Sequence, residues 1–503
     1  MPRARGDGAP ATRRRDPVAV IDVGSNSLRL VVYDGVVRAP RVLFNEKVLC
    51  GLGRDLGETA RLNPDGVKLA FDNLRRFVAL ANAVPVTRLD VLATAAVRDA
   101  EDGPDFIRRI ERAFHLRATI LSGPEEGRLS AFGVIAGIPD ASGLVGDLGG
   151  GSVELVPVSG GQIGPAVSLP IGPLRLAAIA DDEKRLREAI DRELDTVPWL
   201  DGRQVGAFYA VGGAWRSLAR IHMEQEDYPL HVIQQYTLSR GAAESYLDIV
   251  ARQSRKSLER VAAISKKRLE TVPFAARVLH RLLRRIEPKR VVFSALGLRE
   301  GHLYSLLDAR EQGTDPLLAG AAVMADSHRR FGAEGEALFQ WTHPLYPDED
   351  AEQRRLRHAA ALLSDVAWAE HPDYRAEQAL RMALLMPIPG IGHDGRAFLA
   401  AVLHARYGGG DVGMTVKRLL DEDRLAKARG IGLALRLGNT LTGGVPGLLV
   451  GSKLGMEDGV ITLSFRRDSG QRHGESVQRR FEALGRALMK RPEIRLPRTQ
   501  GRG

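Results

Sequence analysis

Val18-Ala-Val-Ile-Asp22-Val-Gly24-Ser25-Asn26-Ser27, running on into Leu28-Arg-Leu-Val-Val-Tyr33, is the stretch from which the fold is read. An apolar run ends in an acid, a short polar turn follows, and alternating apolar residues resume, which reads as strand, tight turn, strand. A second stretch repeats the pattern: Gly143-Leu-Val-Gly146-Asp147-Leu-Gly149-Gly150-Gly151-Ser152, continuing into Val153-Glu-Leu-Val-Pro157. At an offset of 125 residues Asp22 meets Asp147, Gly24 meets Gly149, Ser27 meets Ser152 and Leu30 meets Leu155. A repeat this long predicts two homologous α/β lobes, because solenoid units run only about 20–50 residues.

Between and after these turns, strand and helix patterns alternate, as α/β layers require. Helical spacing is predicted over 67–80, 104–114, 183–194 and 215–223, and strands over 89–94, 118–122, 207–211 and 289–293. A helix is expected from 298 to 307, after which strands largely vanish and helices are expected over 316–330, 350–370, 374–385, 397–407 and 415–437. A small β element near 459–465 precedes a final basic helix. The division expected is a basic disordered tail over 1–15, a first lobe over 16–142, a second over 143–312 and a mainly helical region over 313–503.

Composition sets limits on what the chain can do. Its 503 residues predict about three domains. Hydrophobic residues at 44% and charged residues at 27% exclude a largely disordered chain, a collagen and a membrane bundle. Aromatics at 5% argue against extensive base-stacking surfaces, so no specific nucleic-acid partner is expected. The formal charge of +10 comes from the ends: residues 1–15 carry net +4 and residues 466–503 net +7. The basic C-terminal region is expected to draw an anionic partner or substrate. Cys50 is the one cysteine, so neither an intrachain disulfide nor a Cys-based zinc site is possible, and a cytoplasmic location fits. No apolar run reaches signal-peptide or membrane-span length.

The chemistry is concentrated around the two turns. Glycine lets backbone N–H groups converge closely on an anion, while an Asp at a strand end can hold Mg²⁺ directly or through water. Two such hairpins facing each other would grip a phosphate chain. Glu154, two residues beyond Ser152 on a strand, lies on the same face as Ser152; an exposed strand acid is the plain alternative. In Ser122-Gly-Pro-Glu125-Glu126, Ser122 and Glu125 make a capping box. Glu126 reads on its own as an ordinary first-turn acid, kept ionised by the helix dipole, and second as a carboxylate near the cleft floor that could deprotonate water. Arg98 follows a strand, where α/β proteins bind ligands; its planar fork suits phosphate, although an Arg in that place is usually a surface residue.

Taken together, Val20–Leu30, Ala93-Thr-Ala-Ala-Val-Arg98-Asp-Ala, Ile120–Glu126, Gly146–Glu154, Val211-Gly212-Gly213-Ala214 and Ser294-Ala-Leu-Gly-Leu-Arg-Glu-Gly301 resemble the exopolyphosphatase/guanosine pentaphosphate phosphohydrolase family, of the actin/Hsp70/sugar-kinase superfamily. The resemblance implies two actin-like (ribonuclease H-like) lobes followed by an HD-like helical domain. It implies Glu126 as the base that activates water, and Asp147 and Glu154, with Asp22, as the Mg²⁺-binding acids. Gly24, Ser25, Asn26 and Ser27, together with Gly149, Gly150, Gly151, Ser152, Gly212, Gly213 and Arg98, would contact phosphate. It also implies a homodimer.

The sequence departs from that family at three places. Ala214 stands where a hydroxyl residue is usual. Gly146 replaces an apolar residue before the second Asp, which predicts a looser strand. In the helical domain the expected His-Asp doublet reads Ser364-Asp365, and Ser cannot replace an imidazole ligand, so no catalytic metal is expected there. The function expected is Mg²⁺-dependent release of terminal orthophosphate from inorganic polyphosphate. The alternatives are removal of the 5′ γ-phosphate of guanosine pentaphosphate (pppGpp), a non-catalytic polyphosphate or nucleotide sensor, and an ATP-dependent phosphotransferase.

Overall fold

The computed structural model describes residues 16–179, 182–201, 205–253, 270–328, 330–332, 334–467 and 469–497. The tail expected over 1–15 lies outside them. The chain forms two compact units: residues up to 218 together with 237–313, and residues 219–236 together with those from 314 onward.

The first unit holds the duplication. Strands β1 (Val18–Val23), β2 (Ser27–Tyr33), β3 (Val42–Leu49), β4 (Arg88–Ala93) and β5 (Ala118–Ile120) form a sheet of order β3-β2-β1-β4-β5. β1 runs antiparallel to β2 and parallel to β4. The second sheet repeats this plan with β6 (Gly143–Leu148), β7 (Val153–Ser159), β8 (Gln162–Ile163), β9 (Val167–Leu169), β10 (Ala207–Val211), β11 (Tyr236–Ser239) and β12 (Arg290–Phe293). Its order is β11-β12-β10-β6-β7-β8, with β9 also on β7; β6 is antiparallel to β7 and parallel to β10. The 125-residue offset is thus a repeat of topology as well as of sequence.

Burial on both faces explains why the strands read as almost unbroken apolar runs. Ala19, Ile21 and Val23 of β1 pack with Leu74, Phe77 and Ile110 from the helices Pro64–Ala83 and Gly103–Phe114. Val18 and Val20 point the other way, against Leu121 and Leu303. Leu303 belongs to the helix Leu298–Ser305, which lies on the helix Gly123–Gly137 at backbone distance: a Cβ on Gly301 would stand 1.7 Å from the Leu129 carbonyl oxygen. That contact fixes the helix carrying Glu126.

The looseness expected at Gly146 is not found. Gly146 sits in full register between Leu155 and Ala210, and a Cβ there would meet the Phe208 ring at 2.4 Å and Trp215 at 3.1 Å. Phe208 and Trp215, edge to face at 5.5 Å, fill the space, and Trp215 Nε1 donates to the Ala275 carbonyl.

The second unit is mainly helical, packed around Leu338, Trp341, Leu356, Phe398, Leu435 and Phe481. The helix expected over 415–437 is two, Gly413–Lys417 and Glu422–Thr442, because Asp421 accepts from the Arg424 N–H and starts a new helix. The expected β element is a sheet of β13 (Ser452–Glu457), β14 (Val460–Phe465) and β15 (Arg491–Arg495), so the chain's last described element is a strand that follows the basic helix Glu475–Leu488. Its Pro492 sits in an outermost strand, where a missing N–H is tolerated. Asp365 of the Ser364-Asp365 doublet accepts from Arg330 Nη2 at 2.8 Å and Arg406 Nη2 at 2.9 Å.

Candidate functional site

Both glycine turns are closed by the same bond. Gly24 N–H donates to the Ser27 carbonyl at 2.9 Å, and Gly149 N–H to the Ser152 carbonyl at 3.0 Å. Each turn is also braced from behind. Cys50 and Gly51 N–H groups donate to the Asn26 carbonyl, and Gly53 N–H to that of Ser25; Gly172 and Leu174 N–H groups donate to the carbonyls of Gly151 and Gly150. The turns meet: a Cβ on Gly150 would lie 3.1 Å from the Ser25 Cβ.

Above them is a cleft of about 200 Å³. Asp22, Gly24, Ser25, Asn26 and Ser27 line it from the first lobe, Asp147, Gly149, Gly150, Gly212 and Gly213 from the second, and Glu126 from the helix behind. Gly212 must be glycine, since its φ is +104° and a Cβ would stand 2.4 Å from the Leu148 carbonyl oxygen. Ala214 also lines the cleft and brings no hydroxyl. Arg98, Gly151, Ser152 and Glu154 do not line it; Ser152 and Glu154 are buried, and Arg98 and Gly151 are half-buried.

Glu125 and Glu126 separate cleanly. Glu125 completes the capping box with Ser122, its Oε2 accepting from the Ser122 N–H at 2.8 Å, and it remains exposed. Glu126 is 7% exposed and accepts from Arg98 Nη1 at 3.0 Å. The helix dipole does not govern its ionisation as expected. Burial first, then the neighbouring Glu154 and Asp147, push its carboxyl well above the ordinary range, outweighing Arg98. On the guanidinium side the same pair works the other way: burial opposes the charge of Arg98, and Glu126 more than restores it.

The acids behind Glu126 are crowded. Burial raises the Asp147 carboxyl, although Ser130 Oγ donates to its Oδ2. Glu154, directly opposite Asp147 in the hairpin, is pushed up to about 7 by burial and by Asp147. Its Oε1 accepts from Ser168 Oγ at 2.8 Å, while its Oε2 is buried without a hydrogen-bond partner. Asp22 differs, for its Oδ2 accepts from Arg299 Nη1 at 3.0 Å.

Among the described residues no three acids, histidines or cysteines converge as a complete metal cage. Mg²⁺, however, takes one or two carboxylates and completes its shell with water and substrate phosphate. Hard oxygen donors in a like-charged group, one of them an orphaned buried oxygen, fit an ion held in that way.

Four cationic residues lining the cleft escaped the sequence reading: Arg29, Lys47, Arg216 and Arg299. Arg216 is pushed down to about 10 by burial and by Arg299, while Glu300 and Asp22 overcome the burial of Arg299 and raise it. The signals were present. Arg29 is the repeat counterpart of Glu154, Arg216 lies one helical turn past Gly212, and Arg299 sits inside Ser294–Gly301.

The profile of the Ppx/GppA phosphatase family matches residues 31–310, and that of the exopolyphosphatase C-terminal region residues 325–494. Retrograde regulation protein 2 of Saccharomyces cerevisiae is 25% identical over 437 residues, 78% of this chain and 73% of that protein. Exopolyphosphatase 1 of Mycobacterium bovis is 25% identical over 310 residues, 59% of this chain and 90% of that protein. Guanosine-5′-triphosphate,3′-diphosphate pyrophosphatase of Aeromonas salmonicida is 24% identical over 403 residues, covering 76% of this chain and 79% of its own length. The crystal structure of the Aquifex aeolicus Ppx/GppA family member superposes with a TM-score of 0.50 at 26% identity, over 58% of this chain and 97% of that one.

Proposed function

Because the chain belongs to the Ppx/GppA phosphatase family, and so is a hydrolase of phosphoanhydride bonds, we propose that it releases terminal orthophosphate from inorganic polyphosphate with Mg²⁺. The observation that carries this reading is the convergence on one cleft of both glycine turns, the buried Glu126 and the guanidinium groups of Arg29, Arg216 and Arg299.

In the proposed mechanism the terminal phosphoryl group lies on the two turns, its oxygens facing backbone N–H groups and the guanidinium groups. A water beside Glu126 attacks phosphorus in line. The bond from phosphorus to the bridging oxygen breaks, the shortened chain leaves with that electron pair, and the water proton passes to Glu126. A carboxylate whose pKa is raised toward working pH is the more effective base. Arg98 orients Glu126 through the bond from its Nη1. Asp147 and Glu154 would hold Mg²⁺, which when bound supplies positive charge for the equatorial and leaving oxygens, while Asp22, already paired with Arg299, would balance charge beside them.

Among the described residues the cleft walls are glycine, ionic, hydroxyl, amide and aliphatic, and none is aromatic. Such walls suit the end of a phosphate chain better than a purine, which an aromatic face would stack. The second reading, pppGpp hydrolysis, is favoured by how much of the chain the Aeromonas salmonicida pyrophosphatase matches. Phosphate release from polyphosphate and from pppGpp, each with and without Mg²⁺, decides between them. The expected result is Mg²⁺-dependent release with polyphosphate preferred; a kcat/KM larger for pppGpp reverses the assignment, and binding without release makes the protein a sensor.

A further inference from the structure

The glycine turn of the second lobe is joined to Glu126 by a chain of side chains that crosses to the first lobe. The turn 172–175 folds back onto the second glycine turn, with Gly172 N–H donating to the Gly151 carbonyl at 3.2 Å and Leu174 N–H to the Gly150 carbonyl at 2.9 Å. A shift of Gly150 or Gly151 therefore carries Arg175 with it. Arg175 Nη2 donates to Asp99 Oδ2 in the first lobe. The other oxygen of Asp99 accepts from Arg98 Nε at 3.2 Å. Arg98 Nη1 in turn donates to Glu126 Oε2 at 3.0 Å and to the Leu121 carbonyl at 3.2 Å.

Side-chain exposure falls along this chain, from 41% at Arg175 through 28% at Asp99 and 20% at Arg98 to 9% at Glu126. A partly exposed ion pair adds little to the stability of a fold. What Arg175 and Asp99 do supply is orientation, because Arg98 is held by Nε on one side and presents Nη1 to Glu126 on the other.

We propose that Asp99 and Arg175 are positioning residues that lock the Arg98 guanidinium against Glu126 when the second glycine turn is in place. Occupancy of that turn by phosphate is thereby linked, through Asp99 and Arg98 of the first lobe, to the placement of the base, whose own helix lies on the second sheet. The inference rests on the roles given above to Glu126 and Arg98, and it adds a mechanical reason for the two lobes to act together.

The test uses the full chain and polyphosphate with Mg²⁺, and compares Asp99→Asn, Arg175→Gln, their double variant, Arg98→Gln, and Asp99→Asn in the Arg98→Gln background. Each single change at Asp99 or Arg175 is expected to lower kcat by roughly tenfold to a hundredfold, as a small misplacement of a reacting group does. Tm should stay within about 2 °C of the parent. The double variant should be no worse than the more damaged single variant, and Asp99→Asn should cost nothing further once Arg98 is Gln. Arg175→Lys should recover part of the loss. Additive losses, or an undiminished Asp99→Asn effect in the Arg98→Gln background, overturn the proposal. Amide hydrogen exchange of the substrate-free variants is read in parallel: Asp99→Asn should speed exchange over residues 172–176 of the other lobe, and unchanged exchange there also overturns the lock. A parent enzyme that releases no phosphate would defeat the proposed reaction, while the exchange measurement still judges the lock.

Discussion

The two Asp-x-Gly turns are copies of one pattern, yet their hairpins differ in charge. Across the first, Asp22 faces Arg29; across the second, Asp147 faces Glu154. Asp22 has a further cation, Arg299, on its Oδ2, whereas Asp147 takes the hydroxyl of Ser130. The consequence is electrostatic. The first copy is a locally balanced cradle with guanidinium groups beside it. The second is a buried Glu154 carboxyl beside the half-buried Asp147, both raised, with an orphaned oxygen at Glu154. Duplication gave both lobes the same backbone turn, each closed by a glycine N–H. On the proposed reading, the difference at one repeat position, 29 against 154, directs one copy to phosphate and the other to a divalent cation.

The sharpest break of this comparison is at the residue that both copies serve. Glu126→Gln should lower kcat by about 10²–10⁴-fold, the usual contribution of a general base, with substrate binding retained in a filter or titration assay. In the parent, the rate should fall as pH is lowered through a value well above the ordinary carboxylate range, because the base must be deprotonated and burial raises its pKa. Glu125→Gln should instead keep turnover and cost no more than the ~0.3–1 kcal/mol that a first-turn negative charge carries, because Gln also completes the capping box. Exchanged phenotypes would move the base to Glu125.

Gly146 and its repeat counterpart Ile21 differ for a packing reason. Ile21 fills its own space in the first sheet, while in the second Phe208 and Trp215 occupy the equivalent volume. Gly146→Ala should therefore destabilise by about 1–3 kcal/mol through overpacking, read as a lower Tm, and Phe208→Leu in the same chain should recover part of it. An unchanged Tm would mean that the sheet has slack there after all.

These residues also show what the sequence could and could not reveal. The hairpins, the repeat and the capping box were legible because each is written in local spacing: alternation, an acid before glycine, Ser three residues before Glu. The strand Ala207–Val211 was legible to the residue. The cost of adding a side chain at Gly146 was not, since it depends on Phe208, some sixty positions away. Nor was the raised pKa of Glu126, because helix position is local but burial among Asp147 and Glu154 is tertiary. Arg299 stood inside a stretch already singled out, yet only folding brings it 3.0 Å from Asp22, 277 positions earlier. The strand Arg491–Arg495 was missed because a five-residue segment with Pro and three charges has no strand periodicity of its own; its parallel pairing to β14 makes it a strand.

The metal side of the comparison is broken by Asp147→Asn. A neutral amide is a poorer ligand for a hard cation, and the Mg²⁺ concentration for half-maximal activity should rise about tenfold or more, the scale on which changes around a metal site act. Ser130→Ala, which removes the hydroxyl donor to Asp147 Oδ2, should move the same midpoint less. Titrations of Mg²⁺ at saturating polyphosphate give both numbers. Coincident curves for parent and Asp147→Asn would remove Asp147 from the metal set.

The smallest effect belongs to the first copy, and its sign is the informative part. Asp22 neutralises Arg299 through a pair that is 23% and 11% exposed at the two side chains. Asp22→Asn releases that guanidinium to the cleft, where Arg29 and Arg216 already face the substrate path. If Asp22 chiefly balances charge, KM for polyphosphate should fall by about two- to fivefold, matching the ~0.5–1 kcal/mol that a partly exposed ion pair carries. The Mg²⁺ midpoint should then move far less than in Asp147→Asn. Arg29→Gln should shift KM in the opposite direction, because it removes a cation from the same wall. Both KM values are to be read at low and at high salt, since attraction between an exposed cation and a polyanion is screened, and the contrast between the variants should narrow as salt is added. An Asp22→Asn enzyme whose Mg²⁺ midpoint rises as far as that of Asp147→Asn would show that the two copies share the metal, and the division of labour between positions 29 and 154 would be lost.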